Sequence, residues 1–90
     1  MTVFELRTDW ATDDSHDVGT TLYSTREKAV AAFRKEIEAT KIDYDKAFNE
    51  DGTLCDGWTL DEGKDFWRLY ANDYYCFDHC TITIIEKEVL

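Results

Sequence analysis

Three cysteines and a histidine are the side chains of this chain that are best suited to binding a metal ion. Cys76, His79 and Cys80 are close in sequence, and Cys55 lies upstream. Three thiolates and an imidazole are the donor set of a Cys₃His zinc site. In an extended segment, however, Cys76 and Cys80 share one face while His79 points to the other. We therefore predict no metal and no cofactor, and interpret the cysteines as small buried side chains.

The acidic residues between 43 and 56 suggest a calcium loop, which their spacing does not support. An EF-hand loop needs glycine in its sixth position and glutamate in its twelfth. With Gly52 in sixth place, the first ligand is Ala47 and the twelfth is Trp58. Neither side chain can ligate calcium, so an acidic turn is the better interpretation.

Two further patterns contain residues that are used in catalysis. Residues 15–17 are Ser-His-Asp, but consecutive side chains point in different directions and do not form a triad. Gly52 and Gly57 have P-loop spacing, but Trp58 follows where the P-loop has lysine. We predict that the protein is not an enzyme.

Negative charge is the strongest feature of the composition. The chain has 20 acidic and ten basic residues among 90, with a net charge of −10, and 14% of it is aromatic. A disordered acidic tail lacks such aromatic residues, so we expect a folded chain with charge on a fixed surface. Phosphate contacts need Lys and Arg, so we expect no direct nucleic-acid binding.

The first half of the chain predicts two strands and a helix. Residues 2–10 alternate, with Phe4, Leu6 and Trp10 on one side, and residues 19–23 form a second strand. Ser24 to Glu27 has the pattern of a capping box, which begins a helix. Ala29, Val30, Phe33 and Ile37 then give this helix an apolar face to about Thr40.

The second half predicts an irregular acidic segment and two more strands. Turns are expected at 49–52, 55–57 and 61–63, and strands at 66–70 and 80–89. We predict one domain, 1–90, with an α+β fold of order β-β-α-loop-β-β. Its four-stranded antiparallel sheet has the main helix packed on one face.

Charge and aromatic residues concentrate in two segments of the predicted fold. Residues 42–65 contain eight acidic and two basic residues, and residues 74–77 place aromatics in a predicted loop. Tyr and Trp often supply buried area and a polar group at interfaces. The predicted partner-binding residues are Asp43, Asp45, Glu50, Asp51, Asp56, Trp58, Asp61, Glu62, Tyr74 and Tyr75.

Several segments resemble small acidic proteins of phages and mobile elements. These segments are 21–29, which lead into the helix, the Phe66–Tyr70 strand with Tyr74 and Tyr75, and the 81–88 strand. Small size and acidity also resemble anti-CRISPR and other anti-defence inhibitors of phages, in character and not in motif. The resemblance implies no catalytic residue.

Two functional hypotheses follow from these observations. In the first, the protein is an inhibitor whose acidic surface mimics DNA and occupies a basic, nucleic-acid-binding site on a host protein. In the second, it is an adaptor or homodimer that uses an edge strand and the aromatic loop, and its charge serves solubility. We expect a cytoplasmic protein, because no signal peptide or membrane span is visible and the cysteine number is odd.

Overall fold

The computed structural model describes residues 1–11, 16–71 and 79–89. These residues form one helix, one short 3₁₀ turn and five strands. The elements are β1 (Thr2–Ala11), β2 (His16–Tyr23), α1 (Arg26–Asp43), the 3₁₀ turn (Asp45–Ala47), β3 (Trp58–Glu62), β4 (Phe66–Ala71) and β5 (His79–Glu88). No helix in the described ranges is long and apolar enough to cross a membrane.

The strands form one antiparallel sheet in the order β2-β1-β5-β4-β3. The prediction of an α+β fold with a helix and an antiparallel sheet is confirmed, but the predicted number of four strands is wrong. The additional strand is β3, which includes Asp61 and Glu62, where the sequence pattern predicts a turn. It is short and lies at the edge of the sheet, where it pairs only with β4 among the described strands.

The side chains of one sheet face pack under α1 and form the core. Leu6, Leu69, Ile82 and Ile84 lie on this face, together with the fully buried Trp67. Helix α1 contributes Ala29 and Phe33, as its apolar spacing predicts, and packs mainly against β1, β5 and β2. The predicted alternation of β1 is confirmed, since Phe4, Leu6 and Trp10 all point toward this core.

The N-cap of the helix lies one residue after the predicted cap. Thr25 is the N-cap, and its hydroxyl accepts a hydrogen bond of 3.3 Å from the backbone N–H of Lys28. Ser24, the predicted cap, precedes it. The helix ends at Asp43, three residues beyond the predicted end at Thr40.

The opposite face of the sheet carries a charged cluster around a buried carboxylate. The Glu5 side chain is 8% exposed, and its Oε1 accepts a hydrogen bond of 3.0 Å from Lys87 Nζ. An Arg7 guanidinium nitrogen lies 3.2 Å from Glu5 Oε2 without hydrogen-bond geometry. Leu22 and Ile85 oppose Glu5 on the neighbouring strands. Two cations therefore neutralise a carboxylate that the β1 pattern places on a polar face.

Candidate partner-binding surface

The C-terminal end of α1 leads into a compact acidic loop. Residues 43–57 hold five acidic side chains and one basic side chain, Lys46. All five acids are exposed. We call these five residues the acidic loop surface: Asp43, Asp45, Glu50, Asp51 and Asp56. It contains half of the residues that the sequence predicted for partner binding.

Backbone and side-chain hydrogen bonds order the loop that carries these acids. The N–H of Asn49 donates to the Thr53 carbonyl at 2.7 Å, and the N–H of Cys55 donates to the Ala47 carbonyl at 2.8 Å. The Asn49 side chain also donates to Thr53 Oγ1 and accepts from Cys55 Sγ. The carboxylates are therefore displayed by a defined hairpin-like turn.

Two glycines make the reversals of this loop. Gly52 has φ +88° and Gly57 has φ +90°, a region of backbone conformation that favours glycine. Both lie in turns that the sequence predicted. The second reversal directs the chain from Asp56 into β3.

The same turn favours the ionised state of Asp51. Its carboxylate accepts hydrogen bonds from the hydroxyl of Thr53 at 2.6 Å and from the N–H of Thr53 at 3.0 Å. These bonds, the hydroxyl first, hold the pKa of Asp51 below its ordinary value of 3.8. Asp51 is therefore a permanent negative charge at neutral pH, with its orientation set by Thr53.

Two shallow grooves flank the end of α1. One, of about 450 Å³, is lined by Asp45, Glu50 and Phe48, together with Lys41. The other, of about 400 Å³, includes Glu36, Asp43, Tyr44, Trp10 and Thr40. Each groove thus combines two carboxylates with at least one aromatic ring. Such a surface can receive basic side chains of a partner.

Trp58 contacts both the end of α1 and the loop that follows it. Its ring lies 6.2 Å from the Tyr44 ring in a T-shaped arrangement at 74°, and Lys46 Nζ lies 5.7 Å from its centroid. Edge-to-face ring pairs and cation–π contacts are both favourable. Trp58 is half-buried, so it joins β3 to the end of the helix and leaves only part of its ring for a partner.

The pairing of acidic residues differs between the acidic loop surface and the rest of the chain. Glu5, Asp9, Asp65 and Glu88 each form an ion pair. None of the five carboxylates of the acidic loop surface forms an ion pair with the residues that the structure describes. These five carboxylates are therefore available to basic groups of a partner.

The other predicted residues lie elsewhere. Asp61 and Glu62 are exposed neighbours on β3, so their side chains point to opposite faces of the sheet. Glu62 lines a cleft between α1 and the turn that joins β3 to β4, apart from the acidic loop surface. Tyr74, Tyr75 and Cys76 lie outside the described residues.

The described cysteines and His79 lie at separate positions in the fold. Cys80 is buried under α1, while His79 lies on the opposite face of β5, as their adjacency in a strand predicts. Cys55 lies in the acidic loop, hydrogen-bonded to Asn49. Within the described ranges, no group of three or more His, Cys, Asp or Glu side chains is arranged to hold a metal ion.

Glu36 lines the second groove but is not among the residues that the sequence predicts for partner binding. Glu36, Thr40 and Asp43 follow each other at spacings of four and three residues, which place them along one helix face. That spacing is visible in the sequence, but Glu36 was assigned to the helix and not to the acidic segment after it. The relevant signal was the continuation of the helix beyond Thr40.

Comparison of the chain with protein-family models, with curated proteins and with solved structures gave no match.

Proposed function

We propose that the chain is a non-enzymatic inhibitor whose acidic loop surface occupies a basic, nucleic-acid-binding site on a partner protein. The observation that carries this proposal is a set of five exposed carboxylates on a hydrogen-bonded loop, none of which pairs with a cation among the residues that the structure describes. Such an array presents Lys and Arg side chains with closely spaced negative charges, as a phosphate backbone does. Occupation of the site then excludes nucleic acid by competition.

The position of Asp43 supports a functional origin for the charge. It is the last residue of α1, where the helix dipole disfavours a carboxylate by about 0.3–1 kcal/mol. Asp45 follows two residues later. Residues that contradict a local rule of stability are often kept for function. A partner that supplies positive charge at this end removes the unfavourable interaction.

The test begins with capture of the partner by the tagged, full-length chain from nuclease-treated bacterial lysate. We expect a protein with a basic nucleic-acid site, retained at 50 mM NaCl and released at 500 mM NaCl, since surface charge interactions are screened by salt. Duplex DNA added to the purified pair should displace the chain. Binding whose affinity is unchanged by salt and by duplex DNA contradicts the proposal.

A matched pair of variants locates the contact. Replacement of Asp43, Asp45, Asp51 and Asp56 by Asn should weaken binding at least 100-fold in calorimetry. The control neutralises four exposed acids that were not predicted to bind the partner, Asp17, Glu27, Glu38 and Glu86, and changes the net charge equally. Equal loss from both variants would indicate a general charge effect and reject the acidic loop surface as the site.

A second candidate function is self-association through β2. This eight-residue edge strand is exposed from His16 to Leu22, with Val18 44% and Leu22 62% exposed. An unpaired strand edge can pair with another chain. Strand addition from a second copy would bury both apolar side chains and the free backbone groups.

Sedimentation of the free chain tests this second candidate. A dimer in the micromolar range that Val18→Lys converts to monomer supports it, because a charged side chain on an edge strand opposes pairing. The matched control is Val89→Lys, which changes an exposed apolar residue outside the strands. A monomer at all concentrations contradicts self-association and does not affect the first proposal, which concerns the acidic loop surface.

A further inference from the structure

One helix is too narrow to cover the whole sheet. Neighbouring strands lie about 4.8 Å apart, so five strands span about 19 Å, whereas a helix is about 10 Å wide. Helix α1 lies over β2, β1 and β5. At one end of β3 and β4 the loop fills the remaining space with Ala47, Phe48 and Leu54.

The other end of these two strands borders a cleft. It has a volume of about 300 Å³ and lies between α1 and the turn that connects β3 to β4. Val30, Phe33 and Ile37 line it from the helix, and Phe66 and Trp67 line it from β4. These five residues give the cleft an apolar part, and its volume is of the size that small ligands occupy.

Two cationic side chains stand at this apolar cleft. Arg34 and Lys64 both contribute to its lining, and neither forms an ion pair with any described residue. This is unexpected in a chain with twice as many acids as bases. Glu62 also lines the cleft, but its carboxylate does not pair with either cation.

The third element is a buried hydrogen-bond donor without an acceptor. Trp67 is 2% exposed, and its indole Nε1–H has no partner in the described structure. Buried donors are satisfied in the great majority of cases, and an unmade bond costs about 1–3 kcal/mol. This donor is buried below the surface, so it is not itself a contact for a ligand, but Trp67 lines the cleft and its indole signal reports on changes in the packing of the cleft wall.

We propose that this cleft binds a small amphipathic carboxylate, of the chemical class of a medium-chain fatty acid. The apolar chain lies against Val30, Phe33 and Ile37, and the carboxylate accepts hydrogen bonds from Arg34 and Lys64. This site is separate from the acidic loop surface and has the opposite preference for charge. It does not depend on the proposed inhibitor function.

The test is a titration of the ¹⁵N-labelled chain with sodium octanoate, followed by NMR. The indole signals of Trp10, Trp58 and Trp67 can be assigned with Trp10→Phe and Trp58→Phe. We expect a saturable shift of the Trp67 indole signal and of backbone signals at residues 30–37 and 62–67. Octan-1-ol and octylammonium, which lack the carboxylate, should bind at least tenfold more weakly.

Variants separate charge from apolar contact. Arg34→Met and Lys64→Met keep an apolar stem and should each weaken octanoate binding at least fivefold, while Lys28→Met, on the exposed side of the same helix, should not. Equal affinity for octan-1-ol would overturn the role of the cations. No saturable shift, or shifts spread outside the cleft, would overturn the site.

Discussion

Cys80 shows how one residue couples the sheet to the helix. Its thiol is buried under α1, and Thr40 donates its hydroxyl hydrogen bond to it. Burial raises the pKa of Cys80 from its ordinary value of 9.0 to about 11, and the nearby carboxylates of Glu36, Asp9 and Asp43 act in the same direction. The Thr40 hydrogen bond opposes this shift and is the smaller effect of the two.

The raised pKa of Cys80 predicts a loss of stability in alkali. Since the folded pKa lies above the unfolded value, the unfolded chain releases its proton first as pH rises from 9 to 11. The free energy of unfolding should fall by on the order of 2 kcal/mol over this interval. Urea titrations of the wild type and Cys80→Ala check it, because the variant lacks this titration. Parallel pH profiles for the two proteins would contradict the burial argument.

The Glu5 cluster makes the second prediction at the scale of single residues. Replacement of both Arg7 and Lys87 by Met leaves a buried carboxylate without a counter-charge, which should lower the free energy of unfolding by about 3 kcal/mol. Adding Glu5→Gln to this double variant should recover much of the loss. If the triple variant is no more stable than the double variant, lost packing and not the buried charge explains the effect.

At the scale of elements, two substitutions at the start of α1 test which residue is its N-cap. Thr25→Ala should cost about 1 kcal/mol, because it removes the acceptor of the Lys28 N–H. Ser24→Ala is the matched control and should change the free energy of unfolding by less than about 0.5 kcal/mol. Urea denaturation followed by circular dichroism measures both. The reverse order of effects would place the cap at Ser24.

The sequence predicted most elements because their periodicity is long. β1 and β5 alternate over ten residues, and α1 repeats its apolar face over several turns. β3 was missed because its five residues end in Asp61 and Glu62 and lie between two glycines, which are typical of turns. The cap was misplaced because Ser24 and Thr25 are both good N-caps, and local sequence does not distinguish them.

The sequence predicts which segment carries the candidate site, but it predicts only part of the arrangement of its side chains. Charge counts alone marked the segment that carries the acidic loop surface. Charge counts did not show that Glu62 lies apart from this surface. Its side chain lines a different cleft, because β3 leads away from the acidic loop and its side chains alternate between the two faces of the sheet. Nor did charge counts show that Trp58 packs against Tyr44, since contacts between distant elements are set by the fold.

At the scale of the whole molecule, a net charge of −10 opposes folding through repulsion between like charges. The acidic loop surface concentrates this repulsion, because its five carboxylates form no ion pairs with the described residues. Added salt should therefore stabilise the protein. The free energy of unfolding should be higher in 1 M NaCl than in 10 mM NaCl, where the screening length is about 30 Å.

The distribution of charge predicts which acids cause this repulsion. Conversion of Asp43, Asp45, Glu50 and Asp56 to their amides should raise the free energy of unfolding by about 1 kcal/mol at 10 mM NaCl and by much less at 1 M. The control, with Asp17, Glu38, Asp61 and Glu86 neutralised, has the same net charge and should gain less, because those acids are dispersed over separate elements. Equal gains would mean that repulsion depends on total charge alone. A larger gain in the first variant, together with the loss of partner binding expected when the acidic loop surface is neutralised, would show that the chain retains a destabilising cluster because a basic partner requires it.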